Sequence, residues 1–121
     1  MNQTFGPYSK ASKAGNMLFV AGQVGVDTAT KRAPVNFSEQ MQLAVSNLKQ
    51  VLSDENLGLN NVKNVRIYLT DMKHYEAMNE IFAEHFTGIA PSRECVAVKS
   101  LPPVADQILL VELSAVAELE N

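Results

Sequence analysis

Arg93 and Glu112 are the two side chains whose types and surroundings best suit chemistry. Glu112 is the only charged residue in the otherwise apolar segment 108–117, and an isolated buried carboxylate must be paired or kept partly protonated. If the segment that begins at Arg93 pairs with this one, the two side chains meet in one apolar cleft. The guanidinium could then hold a substrate carboxylate while the glutamate handles water or a proton. By spacing alone, a structural ion pair at a subunit interface is the favoured interpretation.

The remaining reactive side chains give weaker signals. Cys95 is the only cysteine, no histidine is placed to act as its base, and a buried strand cysteine is usually an inert small hydrophobe. His74 and His85 are eleven residues apart on one predicted helix, too far to chelate one metal together. The Gly22 to Gly25 stretch lacks the glycine order of a phosphate loop. The sequence therefore predicts neither a metal nor a nucleotide cofactor.

The elements that position these residues follow from hydrophobic periodicity. Period-two and uninterrupted apolar runs predict strands, and apolar residues at helical spacing predict two helices. Asn36 with Glu39 forms a candidate capping box for the first helix, Gly58 a candidate end, and Asp71 a candidate cap for the second. The predicted strands are residues 10–14, 17–21, 65–70, 93–100 and 107–117. The order β-β-α-β-α-β-β makes an α+β chain.

Each predicted helix has one apolar face. On the first helix this face holds Met41, Ala44, Val45, Leu48, Val51 and Leu52, and on the second it holds Tyr75, Met78, Phe82 and Phe86. The last strand is instead apolar on both faces, and two helices can cover only one side of the sheet. We therefore expect the second face to be buried against other copies of the chain. The alternative is a central strand that loops cover.

Composition limits the classes of protein that remain. The chain has 121 residues, a formal net charge of −3 and 19% charged residues, which suits a single domain over residues 1–121. Mild acidity argues against nucleic-acid binding, and no apolar run approaches the about 18 residues of a membrane helix. The N-terminus lacks the pattern of a signal peptide. A single cysteine excludes an internal disulfide, and we predict a cytoplasmic protein.

Five motifs resemble the Rid (YjgF-type) family. They are Gly-Pro-Tyr-Ser at residues 6–9, the segment 15–23 ending in Gly-Gln, Tyr-Leu-Thr-Asp-Met at 68–72, Pro-Ser-Arg-Glu-Cys-Val-Ala-Val at 91–98, and Val-Glu-Leu-Ser-Ala-Val-Ala at 111–117. They span nearly the whole chain in the family's order. The resemblance implies a chorismate-mutase-like α+β fold with a mixed β-sheet and two helices on one face. It also implies a homotrimer with central barrel-like sheet packing and active sites between subunits.

The activity that the resemblance implies is hydrolysis of reactive 2-enamine and 2-imine acids to 2-oxo acids and ammonia, without a cofactor. Arg93 matches the arginine that binds the substrate carboxylate, Glu112 the acidic residue that orients water, and Tyr8 the tyrosine that helps to close the cleft. The residues expected to line the substrate pocket are Ala21, Gly22, Asn79 and Cys95. The expected partners are the small imine or 2-oxo acid and further copies of the chain.

Ala21 departs from the family pattern, because many deaminases have serine immediately before the Gly-Gln pair. The missing hydroxyl could change substrate preference or lower activity. It therefore leaves open a second function, a non-catalytic trimer that binds 2-oxo acids or regulates. A ribonuclease or translation inhibitor, a description attached to some family members, is disfavoured because the sequence has no basic groove, aromatic ladder or paired histidines.

Overall fold

The computed structural model of the chain describes residues 9–120, which form two helices and a five-stranded sheet. The strands are β1 (Ala11–Ala14), β2 (Met17–Val24), β3 (Val62–Leu69), β4 (Ser92–Ala97) and β5 (Val111–Glu118), and the helices are α1 (Phe37–Asp54) and α2 (Tyr75–His85). This element order confirms the predicted α+β chain.

The sheet has the order β1-β2-β5-β3-β4, so β5 lies at its centre. Strand β5 runs antiparallel to both β2 and β3, whereas β4 is parallel to β3 and forms one edge. The last two strands therefore do not pair with each other, so the condition under which Arg93 and Glu112 would meet in one chain is not fulfilled. Helix α2 carries the chain from β3 back to the start of β4, and this crossover sets the two strands in parallel. Strand β5 then fills the space between β2 and β3.

Both helices pack on one face of this mixed sheet. That face of β5 presents Val111, Leu113, Ala115 and Ala117, all buried in the core. The predicted apolar face of α1 is buried throughout. On α2 the buried residues are Met78, Ile81 and Phe82, whereas Tyr75, predicted to belong to the core, is exposed.

The opposite face of the sheet carries apolar side chains without a cover from the described residues. Phe19, which pairs with Val116 of β5, is 48% exposed, and Val96 of β4 is equally exposed. Single exposed apolar residues are ordinary, but a group on one sheet face indicates an interaction surface. We call this surface the open face.

The ends of α1 show how local chemistry sets element boundaries. The Asn36 side chain accepts a hydrogen bond from the Glu39 amide at 3.1 Å, as the predicted cap requires. The helix ends before the predicted Gly58, because Asn56 adopts a left-handed conformation (φ 61°) and the Leu57 amide bonds back to the Leu52 carbonyl. Asparagine tolerates this conformation better than most residues.

Gln40 explains why the last strand begins at Val111 instead of residue 107. Its side chain is 1% exposed, yet all its bonding groups have partners. Nε2 donates to the Pro34 and Ile108 carbonyls at 2.8 and 3.0 Å, and Oε1 accepts from the Leu110 amide at 2.9 Å. The Ile108 carbonyl and the Leu110 amide therefore bond to a side chain of α1, and only the Leu110 carbonyl bonds to backbone beside β3, from the Thr70 amide at 3.2 Å.

Candidate functional site

Arg93 is held against helix α2 by groups that carry no charge. It lies on the edge strand β4 opposite Val65, on the helix-covered face of the sheet. Its Nη2 donates to Tyr75 Oη at 3.2 Å, and Nη1 lies 3.7 Å from Met78 Sδ. Its Cζ lies 5.0 Å from the centre of the Phe82 ring. No ion pair among residues 9–120 involves Arg93, so its charge lacks an anionic partner there.

Cys95 lies near enough to this guanidinium to feel its charge, and Asn79 lies on the helix that holds Arg93. Cys95 follows Arg93 by two residues on the same face of β4, and burial raises the pKa of its thiol more than the charge of Arg93 lowers it. A thiol held protonated is a poor nucleophile, which agrees with the inert role. Asn79 is half-buried on α2, one turn after Tyr75. We define the arginine edge as Tyr75, Met78, Phe82, Arg93 and Cys95.

Glu112 lies beside an irregularity between β2 and β5. After Val20 the register shifts, so that Ala21 and Gly22 of β2 lie opposite the single residue Ser114 of β5. Such a bulge bends its strand and redirects the side chains around it. The carboxylate of Glu112 fills the space beside Gly22: a Cβ on Gly22 would lie 2.5 Å from Glu112 Oε2 and 2.6 Å from Cδ. Burial raises the pKa of Glu112. We define the bulge face as Ala21, Gly22 and Glu112.

We expect Gly22→Ala to lower activity while the fold survives, because the added methyl displaces only the flexible end of Glu112. Gly25→Ala provides a matched contrast. Its Cβ would lie 2.6 Å from Gln40 Cα and 2.8 Å from its carbonyl carbon, and helix backbone cannot move aside cheaply. We expect Gly22→Ala to change the free energy of unfolding by less than about 1 kcal/mol and Gly25→Ala to lower it by about 2 kcal/mol or more.

Urea titration at fixed protein concentration measures both free energies of unfolding. The activity to assay on the folded Gly22→Ala protein is the imine hydrolysis that the family resemblance implies. A stable Gly22→Ala variant with unchanged turnover would show that the position of the Glu112 carboxylate does not matter.

The arginine edge and the bulge face lie on opposite sides of the sheet within one chain. Val65 of β3 pairs with both Arg93 and Ala115, so Arg93 shares the helix-covered face with buried Ala115. Glu112 pairs with Tyr68, three residues further along β3, and therefore faces the other way. Within one chain, Arg93 and Glu112 therefore do not share a cleft. Burial is the only resolved cause of the raised pKa of Glu112, and Arg93 does not contribute to it.

The structure adds residues that the sequence did not assign to the site and leaves others untested. Tyr75, Met78 and Phe82 contact Arg93, but their helical spacing assigned them only to the core. Tyr8 lies outside the described residues, so its predicted role is not tested.

His74 stacks on Phe37 with ring centroids 4.4 Å apart. Within residues 9–120, no group of three or more His, Cys, Asp or Glu side chains could hold a metal ion. No helix of that part is long and apolar enough to cross a membrane.

The fold defines a class of small α+β proteins with two helices on one face of a mixed sheet, and comparisons with known proteins agree. A family model described as endoribonuclease L-PSP matches residues 2–119. A RutC family protein of Pyrococcus horikoshii is 39% identical over 116 residues, which cover 95% of this chain and 89% of that protein. The chain therefore belongs to the endoribonuclease L-PSP family, the YjgF/RidA/RutC family that its motifs predicted.

Two solved structures show the same fold. The crystal structure of RidA from an Antarctic Psychrobacter species matches with a TM-score of 0.90 and 28% identity, covering 97% of this chain and 92% of that one. Escherichia coli TdcF with bound serine matches with a TM-score of 0.87 and 26% identity, covering 97% and 91%. The predicted fold class, with its mixed sheet and two helices on one face, is thus confirmed.

Proposed function

We propose that the protein hydrolyses reactive 2-enamine and 2-imine acids, such as 2-aminoacrylate and 2-iminobutanoate, to 2-oxo acids and ammonia. The observation that carries the proposal is Arg93, a guanidinium held by a phenol, a thioether and an aromatic ring without an anionic partner in the described chain. Arginine stays protonated in such surroundings, and its planar fork matches a carboxylate. The similarity to TdcF, whose structure contains serine, agrees with a ligand of this chemical class.

We further propose that the active site forms between copies of the chain in a homotrimer. Arg93 has no anionic partner among residues 9–120 and lies on one face of the sheet, whereas the half-buried Glu112 carboxylate lies on the other. Within a single chain the two groups therefore cannot act on one small molecule. If the arginine edge of one copy meets the bulge face of its neighbour, Arg93 and Glu112 reach the same substrate. The exposed apolar residues of the open face, Phe19 and Val96 among them, then become buried.

In the proposed reaction, Arg93 fixes the substrate carboxylate and Glu112 orients a water molecule. An enamine first takes a proton from solvent at its β-carbon to become an iminium ion. Water then adds to the iminium carbon, and the resulting carbinolamine, once protonated on nitrogen, breaks its C–N bond while its hydroxyl group returns a proton to solvent, which leaves a 2-oxo acid and ammonia. Glu112 as carboxylate accepts a proton from the attacking water and passes it to the leaving nitrogen. Since free imines already hydrolyse in water, positioning supplies much of the rate, and no cofactor is required.

The activity is tested by generating 2-aminoacrylate in situ with a dehydratase while semicarbazide competes for the imine. Wild-type protein is expected to raise the share released as pyruvate and ammonia at the expense of the trapped product. The same share with and without a folded protein, across a range of concentrations, would contradict the proposal.

A mixing experiment tests the composite site. Arg93→Ala removes the arginine from every shared site and Glu112→Gln removes the glutamate, so a trimer made of either variant alone should be inactive. After the two variants are unfolded and refolded together at equal concentrations, about a quarter of the sites should combine an intact Arg93 with an intact neighbouring Glu112. We expect about a quarter of wild-type activity and a trimeric mass by light scattering. A monomeric mass, or no recovery in mixed trimers, would contradict the shared site.

Ala21 supports a second candidate, a non-catalytic trimer that binds 2-oxo acids or regulates. Its methyl group offers no hydrogen bond where a serine could. Calorimetry with pyruvate separates the two functions, since this candidate predicts binding through Arg93 without any acceleration of imine hydrolysis. A cytoplasmic location stays a prediction from the sequence.

Ribonuclease activity, which the family description names, has no support from the histidines. His74 and His85 stand eleven residues apart along α2 and the turn before it, a separation of roughly 16 Å at helical rise. His85 Nε2 is also engaged with Gln42 Oε1 at 2.7 Å. The pair therefore cannot act together on one phosphodiester.

A further inference from the structure

Tyr75 holds one end of the Arg93 guanidinium and keeps a hydrogen-bond donor of its own. Its Oη accepts from Arg93 Nη2 at 3.2 Å. A phenol that accepts through its oxygen still has its O–H proton to donate in another direction. The side chain is 38% exposed although it lies on the first turn of α2. Part of the side chain is therefore accessible to a ligand that approaches Arg93.

We propose that Tyr75 is a second binding residue for the ligand carboxylate and makes the site selective for carboxylates over their amides; this inference rests on the proposed ligand class. Among residues 9–120, the hydrogen-bond partner of Arg93 Nη1 is the Met78 sulfur, a weak acceptor, so both ends of the fork remain able to bond a carboxylate. One carboxylate oxygen then also accepts from the Tyr75 hydroxyl, which lies next to Nη2. A carboxylate accepts all three bonds, whereas the NH₂ group of an amide places hydrogens against the guanidinium.

The packing around Arg93 separates this role from that of its apolar neighbours. The Phe82 ring lies nearer to the guanidinium than the Tyr75 ring does, with centroids 5.0 and 5.8 Å from Cζ. Phe82 is also buried, whereas Tyr75 is exposed. Phe82 therefore supports the cation from the core side, and the special contribution of Tyr75 is its hydroxyl.

The substitution Tyr75→Phe tests the proposal, because it keeps the ring and removes only the hydroxyl. Calorimetry with pyruvate is expected to show about tenfold weaker binding, as for the loss of one hydrogen bond to a charged group. Binding of pyruvamide is expected to be weak in wild type and unchanged in the variant. In the imine assay KM should rise by a similar factor while kcat stays within about twofold. Glu80→Gln, an exposed change on the same helix, is the control.

The outcomes separate this inference from the proposed function. If Tyr75→Phe binds pyruvate as tightly as wild type, the role of Tyr75 is wrong even when imine hydrolysis is confirmed. If pyruvate and pyruvamide affinities fall together, the hydroxyl acts only through general packing and the selectivity is wrong. If wild type does not hydrolyse imines but Tyr75→Phe selectively weakens pyruvate binding, the carboxylate site stands and the proposed catalysis fails.

Discussion

Arg93→Ala is expected to lower kcat/KM for 2-aminoacrylate by at least about 100-fold and to abolish pyruvate binding, because the variant loses a charge-assisted, bidentate contact with the carboxylate. The fold should survive. Arg93 takes part in no ion pair among the described residues, so its removal leaves no buried carboxylate without a partner there. Competition with the semicarbazide trap measures the first effect and calorimetry the second.

Two further arginine variants test whether the effect depends on the guanidinium group and on its position in the chain. Arg93→Lys keeps the positive charge but loses the planar fork, and we expect activity between those of wild type and Arg93→Ala. Arg32→Ala removes an exposed arginine from the loop between β2 and α1 and should behave as wild type. If Arg93→Ala keeps its trimeric mass, its thermal transition and full turnover, the carboxylate does not bind at Arg93.

Glu112→Gln is expected to lower kcat by about 100-fold, the range of a lost acid–base group, with a much smaller change in KM. The amide keeps the size of the side chain beside Gly22 but cannot accept a proton from water. Pyruvate binding should be nearly retained, because the carboxylate contacts belong to the arginine edge. An equal loss of pyruvate affinity in Glu112→Gln would show that Glu112 binds the ligand instead of activating water.

The pH dependence follows from the burial of Glu112. Burial raises its pKa above the ordinary value of 4.5, and the proposed reaction needs the ionised form. Turnover, corrected for the buffer reaction, should therefore decline as the pH falls and should begin to decline above pH 4.5. Glu112→Gln should lack this acidic limb. A wild-type limb centred at or below 4.5 would contradict a buried catalytic carboxylate.

Glu112 should also affect how the free energy of unfolding depends on pH: its ionisation should increase turnover as the pH rises but lower the stability of the fold. A carboxyl group whose pKa is higher in the folded than in the unfolded protein adds stability below the unfolded pKa and loses it as the pH rises through the folded pKa. The neutral glutamine has no such loss. The free energy of unfolding of Glu112→Gln relative to wild type should therefore increase from pH 4 towards pH 7, as urea titrations at several pH values can measure.

Local patterns predicted the elements well, because they depend on neighbouring residues. The helical spacing from Met41 to Leu52 and the cap at Asn36 are confirmed. Asp71 does accept from a downstream amide, that of Lys73, but it caps a short 3-10 turn before α2 begins at Tyr75. The late start of β5 was not predictable, because it depends on a hydrogen bond from Leu110 to Gln40, seventy residues earlier in the chain.

The candidate site likewise has features that local sequence determines and features that depend on residues far apart in the chain. The sequence by itself determined the family and the residues with chemical potential, because motifs such as those around Arg93 and Glu112 are contiguous and specific. Only the tertiary structure decided which of them share a face. Strand β4 pairs with β3 and not with β5, and alternate residues of a strand point to opposite sides. Pairing between segments far apart in the chain therefore places Arg93 beneath α2 and Glu112 on the open face.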